Sequence, residues 1–401
     1  MEEKLKDVEG GKKLGTKLVH GGEDTQISCG YVNIPPFEGS TILHEDMADI
    51  NARVDNHIHG DGSALTYGTD GGPTHRAFYQ AMNELEGGVG TWAYSTGLAG
   101  CVIPFFAFVK AGDHVLVTDS VYGPTRQFCE ELLSKYAVQV EFYPPTIGKG
   151  IEALIKPNTT LIYMESPGSH SFEMQDVPAI AEVARRRSII TMIDNTYATA
   201  VNFKPLMCGV DVVINSATKY ICGHSDVLLA TVTCNEKTWE AVRRTSKMLG
   251  QHASAQSIYL ALRGLRTLKV RLEAIGAHTR DVVHWLAKQP EVKKIIWPAW
   301  GKDPGYPIYK RDYVGPIGLF AFEFQSSFTD AQINRFMDAL RLFKLGYSWG
   351  GAESLILRSY GKRSEVKTDF SHTVRVYVGL EDPEDLIKDL ERGFAAMKDL
   401  Q

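Results

Sequence analysis

The sequence predicts an α/β protein: a large domain on a mostly parallel sheet, followed by a smaller C-terminal α/β domain. Three patterns carry this expectation. Short β-branched runs alternate with helical stretches between about residues 74 and 249, a long helical pattern covers 254–288, and a second set of strands and helices follows it. Strands separated by helices must be joined by crossovers, which make neighbours parallel and cover both sheet faces.

Taken in order, the first 65 or so residues are rich in Gly, Pro and Asp with weak apolar periodicity, so they read as either a loose tail or an irregular arm that orders on a neighbouring subunit. A helix is expected over 77–85 and another over 98–109. Strands are expected over 114–118, 138–143, 160–164, 189–193, 210–215 and 227–232, with a helix over 177–187. The helix over 254–288 bridges to strands at 318–324, 355–358 and 373–379 and helices at 330–340 and 383–397. In the last helix Asp382 suits the N-cap and Pro383 the first turn, while Leu386, Leu390, Phe394 and Met397 share one apolar face. The resulting division is an arm over 1–70, a large domain over 71–265 and a C-terminal domain over 266–401.

Composition excludes several classes. With 44% apolar and 23% charged residues and a net charge of −5, the 401-residue chain is ordinary for a globular protein and has no basic nucleic-acid footprint. Its longest strongly apolar run, from Cys101 to Val109, is far short of the roughly 20 residues of a membrane span. The charged start, MEEKLKDVEGGKK, has no apolar segment of a secretory signal, so a cytoplasmic protein is expected. Six scattered cysteines without a C-x-x-C pair read as reduced, packed thiols, and no metal site is expected.

The chemistry-bearing residues gather at the carboxyl ends of the predicted strands, where open α/β sheets bind ligands. Lys219 lies in Ser216-Ala217-Thr218-Lys219-Tyr220, directly after a predicted strand, and Asp194 ends another. Ser216 and Thr218 can donate to a phosphate, and Gly97 and Leu98 open a helix after Ser95-Thr96, where backbone N–H groups favour an anion. An amine, a carboxylate for a pyridine nitrogen and a phosphate cradle make a layout for pyridoxal phosphate, held through an imine to Lys219. Tyr122 follows the 114–118 strand and is placed to stack on a flat ring. Arg375 alternates with apolar neighbours and presents a fork suited to a carboxylate. Singly, each has a plainer reading: a helix cap for Thr96 or Asp194, an interface tyrosine, a solvated lysine, or a structural salt bridge for Arg375.

Together these residues resemble the Cys/Met-metabolism family of pyridoxal phosphate enzymes, over nearly the whole chain (18–397). The matching segments include Tyr67-Gly68, Glu84-Leu85-Glu86-Gly87-Gly88, Glu165-Ser166-Pro167-Gly168-Ser169, Ile193-Asp194-Asn195-Thr196, the Lys219 segment, Arg263-Gly264-Leu265-Arg266 and Gly379-Leu380-Glu381-Asp382. The resemblance implies the aspartate aminotransferase-like fold (fold type I) and points most to the cystathionine β-lyases. Tyr347 and Trp349 stand where the family's γ-lyases and γ-synthases usually carry glutamate and leucine.

The resemblance further implies that Lys219 forms the imine and moves the Cα proton, Asp194 pairs with the ring nitrogen, and Tyr122 stacks and, as phenolate, takes a proton from the incoming ammonium. It places Gly97, Leu98, Ser216 and Thr218 on the phosphate, with Tyr67 reaching it from a neighbouring subunit. Ser348 and Arg375 grip the substrate carboxylate, with Tyr347 and Trp349 beside them. The implied reaction is β-elimination of a small sulfur amino acid, turning cystathionine into homocysteine, pyruvate and ammonia within methionine biosynthesis and transsulfuration. A dimer is the minimum unit and a homotetramer the family expectation. Cysteine or cystine desulfhydrase, γ-lyase and γ-synthase activities stay open, as does a scaffold with a decayed cofactor site; a dehydrogenase lacks its G-x-G-x-x-G.

One departure stands out. The family commonly has Tyr-x-Arg where this chain reads Tyr67-Gly68-Thr69-Asp70, so the arginine charge on the phosphate is absent and weaker cofactor retention is expected.

Overall fold

A computed structural model of the chain describes residues 12–23, 27–60 and 63–398. The charged start read as lacking a secretory signal lies, over residues 1–11, outside the described residues. Seven strands form the larger sheet: β1 (Gly90–Tyr94), β2 (His114–Thr118), β3 (Gln139–Tyr143), β4 (Thr159–Glu165), β5 (Ile190–Asp194), β6 (Val212–Asn215) and β7 (Ala230–Cys234). Their order is β1-β7-β6-β5-β4-β2-β3. The pairs from β6 to β3 are parallel, whereas β7 is antiparallel to both β1 and β6.

Apart from the edge strand β3, the strands are largely buried on both faces, and their period of two sorts side chains between two cores. Leu161 and Tyr163 of β4 join Val115, Val117, Met192, Val212 and Ile214 on one face. Ile162 and Met164 join Leu116, Ile193 and Val213 on the other.

The smaller sheet comprises β8 (Val292–Ile296), β9 (Leu319–Phe324), β10 (Lys344–Leu345), β11 (Leu355–Arg358) and β12 (Thr373–Tyr377), in the order β10-β11-β12-β9-β8. Val374 and Val376 of β12 enter a third core with Leu386, Leu390, Phe394 and Met397 of the C-terminal helix Pro383–Lys398, as the apolar face of that helix predicts. Arg375, between them in register with Leu357 and Ala321, points to the opposite face of the sheet. One continuous helix, Ala255–Leu286, runs from the large sheet toward the small one; Ser254 caps it by accepting from the Ser257 N–H.

The structure corrects four expectations. The arm carries helices Leu14–His20 and Met47–His59; the first buries Leu18 and the second is capped by Asp46, so local capping and a few apolar contacts outweigh the loop-like composition. The expected 98–109 helix ends at Val102, and a tighter turn over Ile103–Ala107 accommodates Pro104. Strand β1 was not anticipated, and β7 begins three residues later than expected and runs antiparallel. Among the described residues no helix is long and apolar enough to cross a membrane.

Candidate active site

The carboxyl ends of β4, β5 and β6 and the turn after β1 converge on a cavity of about 330 Å³, closed from the small-sheet side by Arg375 and the segment Tyr347-Ser348-Trp349. Of the residues singled out by sequence, Gly97, Leu98, Tyr122, Asp194, Ser216, Thr218, Lys219, Tyr347, Ser348, Trp349 and Arg375 all line it. Tyr67 does not. It is exposed and lines a separate cavity with Thr69, His75 and His252.

Lys219 is held by local geometry. The backbone N–H of Lys219 donates to the Ser216 carbonyl, closing the turn that aims its side chain into the cavity. Its Nζ donates to Ser348 Oγ at 2.6 Å and lies 5.6 Å from the Trp349 ring centre. Burial, and then the nearby Arg375 charge, lower the amine pKa to about 8, while Asp194 opposes the shift. The facing loop needs glycine: a Cβ at Gly350, whose φ is +89°, would come within 2.8 Å of the Lys219 backbone. Ser348 itself sits at φ +80°, strained for a residue with a side chain.

Asp194 is buried, its Oδ1 accepting from the Thr196 N–H at 2.9 Å and its Oδ2 from the Cys101 thiol at 3.4 Å. Glu165, paired in register with Asp194, is half-buried and lines the cavity. Burial raises the pKa of both carboxyls, and the Asp194 charge pushes Glu165 further up. Among the described residues Asp194 has no ion-pair partner, so the cavity floor favours a cationic group such as a protonated ring nitrogen.

At the other end, Thr96 caps the short helix Gly97–Val102, and a Cβ at Gly97 would meet Ser216 Oγ at 2.5 Å. The Ser216 hydroxyl has no partner among the described residues. Thr218, by contrast, donates to the Leu229 carbonyl and accepts from its N–H, so its hydroxyl is already engaged on the rim where it was expected to donate to a phosphate. The amine, the unpaired buried carboxylate and this glycine-lined notch with a free hydroxyl fit pyridoxal phosphate.

Tyr122 is fixed by its backbone N–H, which donates to Glu165 Oε2 at 2.7 Å, and its ring remains partly exposed to the cavity. The expected phenolate is not what this environment favours. Burial, reinforced by Cys101, Tyr360, Asp194 and Glu165, pushes the hydroxyl pKa up, away from the phenolate form. Arg375 donates to the Ser348 carbonyl at 3.3 Å and has no carboxylate partner among the described residues, which removes its reading as a structural salt bridge. Trp349 packs against Tyr220 and Tyr197, forming a wall, whereas Tyr347 stands exposed at the mouth.

Sequence reading missed Cys101, His170 and Tyr360 on the lining. Glu165 was legible as a strand end but received no role. Cys101 was readable as one helical turn beyond Gly97; His170 and Tyr360 arrive on irregular loops without periodicity to mark them.

Asp70, the apparent wrong-sign neighbour of Thr69, is internally neutralised. Its Oδ1 accepts from Lys247 Nζ at 2.7 Å and lies 3.0 Å from His57 Nε2, and its Oδ2 accepts from Thr66 and from the Tyr67 N–H.

The family of Cys/Met metabolism PLP-dependent enzymes matches residues 15–395. The chain is 44% identical over 389 residues to the putative cystathionine beta-lyase of Rhizobium johnstonii, covering 96% of each protein. It is 40% identical over 394 residues to cystathionine beta-lyase MetC of Escherichia coli, covering 96% of this chain and 98% of that one. In fold it is similar to the crystal structure of metB from Corynebacterium glutamicum, with a TM-score of 0.87 and 27% identity over 96% of this chain and 98% of the other.

Proposed function

The chain belongs to the family of Cys/Met metabolism PLP-dependent enzymes, and we propose that it is a carbon–sulfur β-lyase that converts cystathionine and water into homocysteine, pyruvate and ammonia. The observation that carries this reading is Arg375, a guanidinium without a carboxylate partner among the described residues, on the same cavity as the Lys219 amine. The two residues are set to receive an amino acid by its carboxylate and its Cα proton.

Lys219 would hold the cofactor through Nζ, with the Asp194 carboxylate opposite the ring nitrogen, Tyr122 against the ring face, and Gly97, Leu98 and Ser216 around the phosphate. When bound, pyridoxal phosphate supplies an electron sink for the pair left on Cα. Arg375 binds the α-carboxylate in a fork and so orients the Cα–H bond toward Lys219. Released from the cofactor, Lys219 Nζ takes the Cα proton and passes a proton to the departing sulfur; a pKa near 8 suits both directions. Ser348 Oγ, 2.6 Å away, aims the amine. Trp349 and Phe172 exclude water from the apolar side of the cavity.

The same reading includes a cytoplasmic enzyme whose minimum unit is a dimer, with Tyr67 completing a neighbour's site and a tetramer as the full assembly. The arm (1–70), cofactor domain (71–265) and C-terminal domain (266–401) are its functional divisions. Product analysis of the purified protein on cystathionine tests the activity. Pyruvate with homocysteine supports it, 2-oxobutyrate would mean γ-elimination, and pyruvate from cysteine or cystine alone would make it a desulfhydrase. A protein with no imine colour to fix with borohydride would be the decayed scaffold.

A further inference from the structure

Two irregular loops, tied to each other and to the end of β2, bring His170 and Tyr360 together at the mouth of the cavity. Their ring centres are 4.3 Å apart. Arg363 makes the tie: its Nε donates to Asp119 Oδ2 at 2.9 Å and its Nη1 to Glu173 Oε2 at 2.8 Å, so one guanidinium holds the Tyr360 loop against both the sheet and the His170 loop. Asp119, fully buried, also accepts from Arg126 and from the backbone N–H groups of Ser364, Glu365 and Val366.

The His170 loop is held in a demanding conformation. His170 and Phe172 both have left-handed backbones, with φ of +60° and +57°. Such backbones persist only where the surroundings over-determine them, and they concentrate at ligand clamps. The Ser169 N–H donates to the Ser120 carbonyl, the Phe172 N–H to the Gly168 carbonyl, and Phe172 is buried, which pins the loop on either side of His170.

Neither the His170 nor the Tyr360 side chain has a hydrogen-bond partner among the described residues, and the buried Nδ1 of His170 is left unsatisfied. Both side chains line the cavity, and among the described residues no partner of His170 Nδ1 fixes the tautomer, so the imidazole can present either a donor or an acceptor there. Burial and the Arg375 charge push the imidazole pKa down to about 3, so the ring is neutral and offers one donor and one acceptor. With Arg375 taken by the substrate's α-carboxylate, this pair lies on the same cavity and is free for the other end of a longer molecule.

The geometry points to a distal subsite, formed by His170 and Tyr360, that recognises the polar amino-acid end of the leaving thiol. It rests on the β-lyase reading and deepens it: the enzyme selects thioether substrates whose departing half carries its own amine and carboxylate over those that release a short alkyl thiol. Arg363 and Asp119 are positioning residues for this subsite.

The test compares cystathionine with S-methylcysteine, whose leaving group has no polar end, in the holoenzyme and in the His170→Asn and Tyr360→Phe variants. Asn tolerates the left-handed backbone, so His170→Asn guards against simple misfolding. Each variant is expected to lose about ten-fold in kcat/KM for cystathionine, the scale of one or two hydrogen bonds, with at most about a two-fold change for S-methylcysteine. Product inhibition by homocysteine should weaken in parallel. Equal losses on both substrates, or no loss on cystathionine, would overturn the subsite while leaving β-lyase activity intact. A wild-type protein that releases pyruvate from S-methylcysteine but not from cystathionine would overturn the functional reading and the proposed occupant together.

Discussion

The Lys219 amine donates a 2.6 Å hydrogen bond to the hydroxyl of Ser348, a residue 129 positions later in the chain. The first belongs to the turn after β6 of the large sheet and the second to a strained loop beside the small one, so the amine and the hydroxyl that accepts from it come from different sheets. Ser348 also touches Arg375, whose guanidinium donates to the Ser348 carbonyl.

Removing the amine should abolish both cofactor capture and turnover. Lys219→Ala is expected to lose the borohydride-fixable imine and to form pyruvate from cystathionine at least about a hundred-fold more slowly. Absorbance and pyruvate assays on the same preparation check it; wild-type turnover without the lysine would refute the assignment.

Imine formation needs the neutral amine, so its pH dependence follows the Lys219 pKa of about 8. The sign is set by protonation: lowering pH converts the amine to ammonium and slows capture. The rate at which apo-protein takes up pyridoxal phosphate should climb through pH 8 and level above it. A midpoint near the ordinary lysine value of about 10.4 would show that burial and Arg375 do not tune the group.

Ser348→Ala keeps the backbone carbonyl that Arg375 uses and deletes only the hydroxyl facing Lys219. The expected result is a fall of about ten-fold in kcat with KM little changed, the size of one well-placed hydrogen bond. Arg375→Ala should act oppositely, raising KM by about a hundred-fold through loss of the carboxylate fork. Steady-state kinetics on cystathionine separate the two.

Asp70 is nearly buried against Lys247, and its pKa is held well below the ordinary carboxylate value by Lys247, Thr66 and the Tyr67 N–H against an opposing burial effect. A depressed carboxylate pKa contributes stability that is present above its unfolded value of about 3.9 and is lost as pH falls below it. Asp70→Ala should cost about 1–3 kcal/mol, discounted because Lys247 is partly exposed, and should flatten the acid limb of urea-unfolding stability. Thr69→Arg, next to it, restores the absent cation and should tighten cofactor binding about ten-fold or more by equilibrium dialysis, the scale of a charge-assisted contact.

Much of this protein was legible in its sequence because the informative features are local. Asp194, Ser216 and Lys219 follow runs of β-branched residues, and a strand end in an open α/β sheet is a ligand edge whatever the rest of the fold does. Arg375 between Val374 and Val376 announced its face by the period of a strand. The C-terminal helix declared its cap and its apolar stripe in the same way. Features set by non-local contacts were not readable. The antiparallel direction of β7 depends on its partners, β1 and β6, and the helices of the N-terminal arm depend on docking and capping that composition hides.

The sequence by itself determined which groups are available: the Lys219 amine, the Asp194 carboxyl, the Gly97 and Ser216 turn and the Arg375 guanidinium. Only the tertiary structure decided the state in which these groups meet. It brought Arg375 near enough to Lys219 to help lower its pKa, buried the Tyr122 hydroxyl enough to push its pKa up, tied up the Thr218 hydroxyl with Leu229, and neutralised Asp70 with Lys247. Protonation and hydrogen-bond occupancy depend on burial and on charges a few ångströms away in space, and distance along a chain does not encode distance in space.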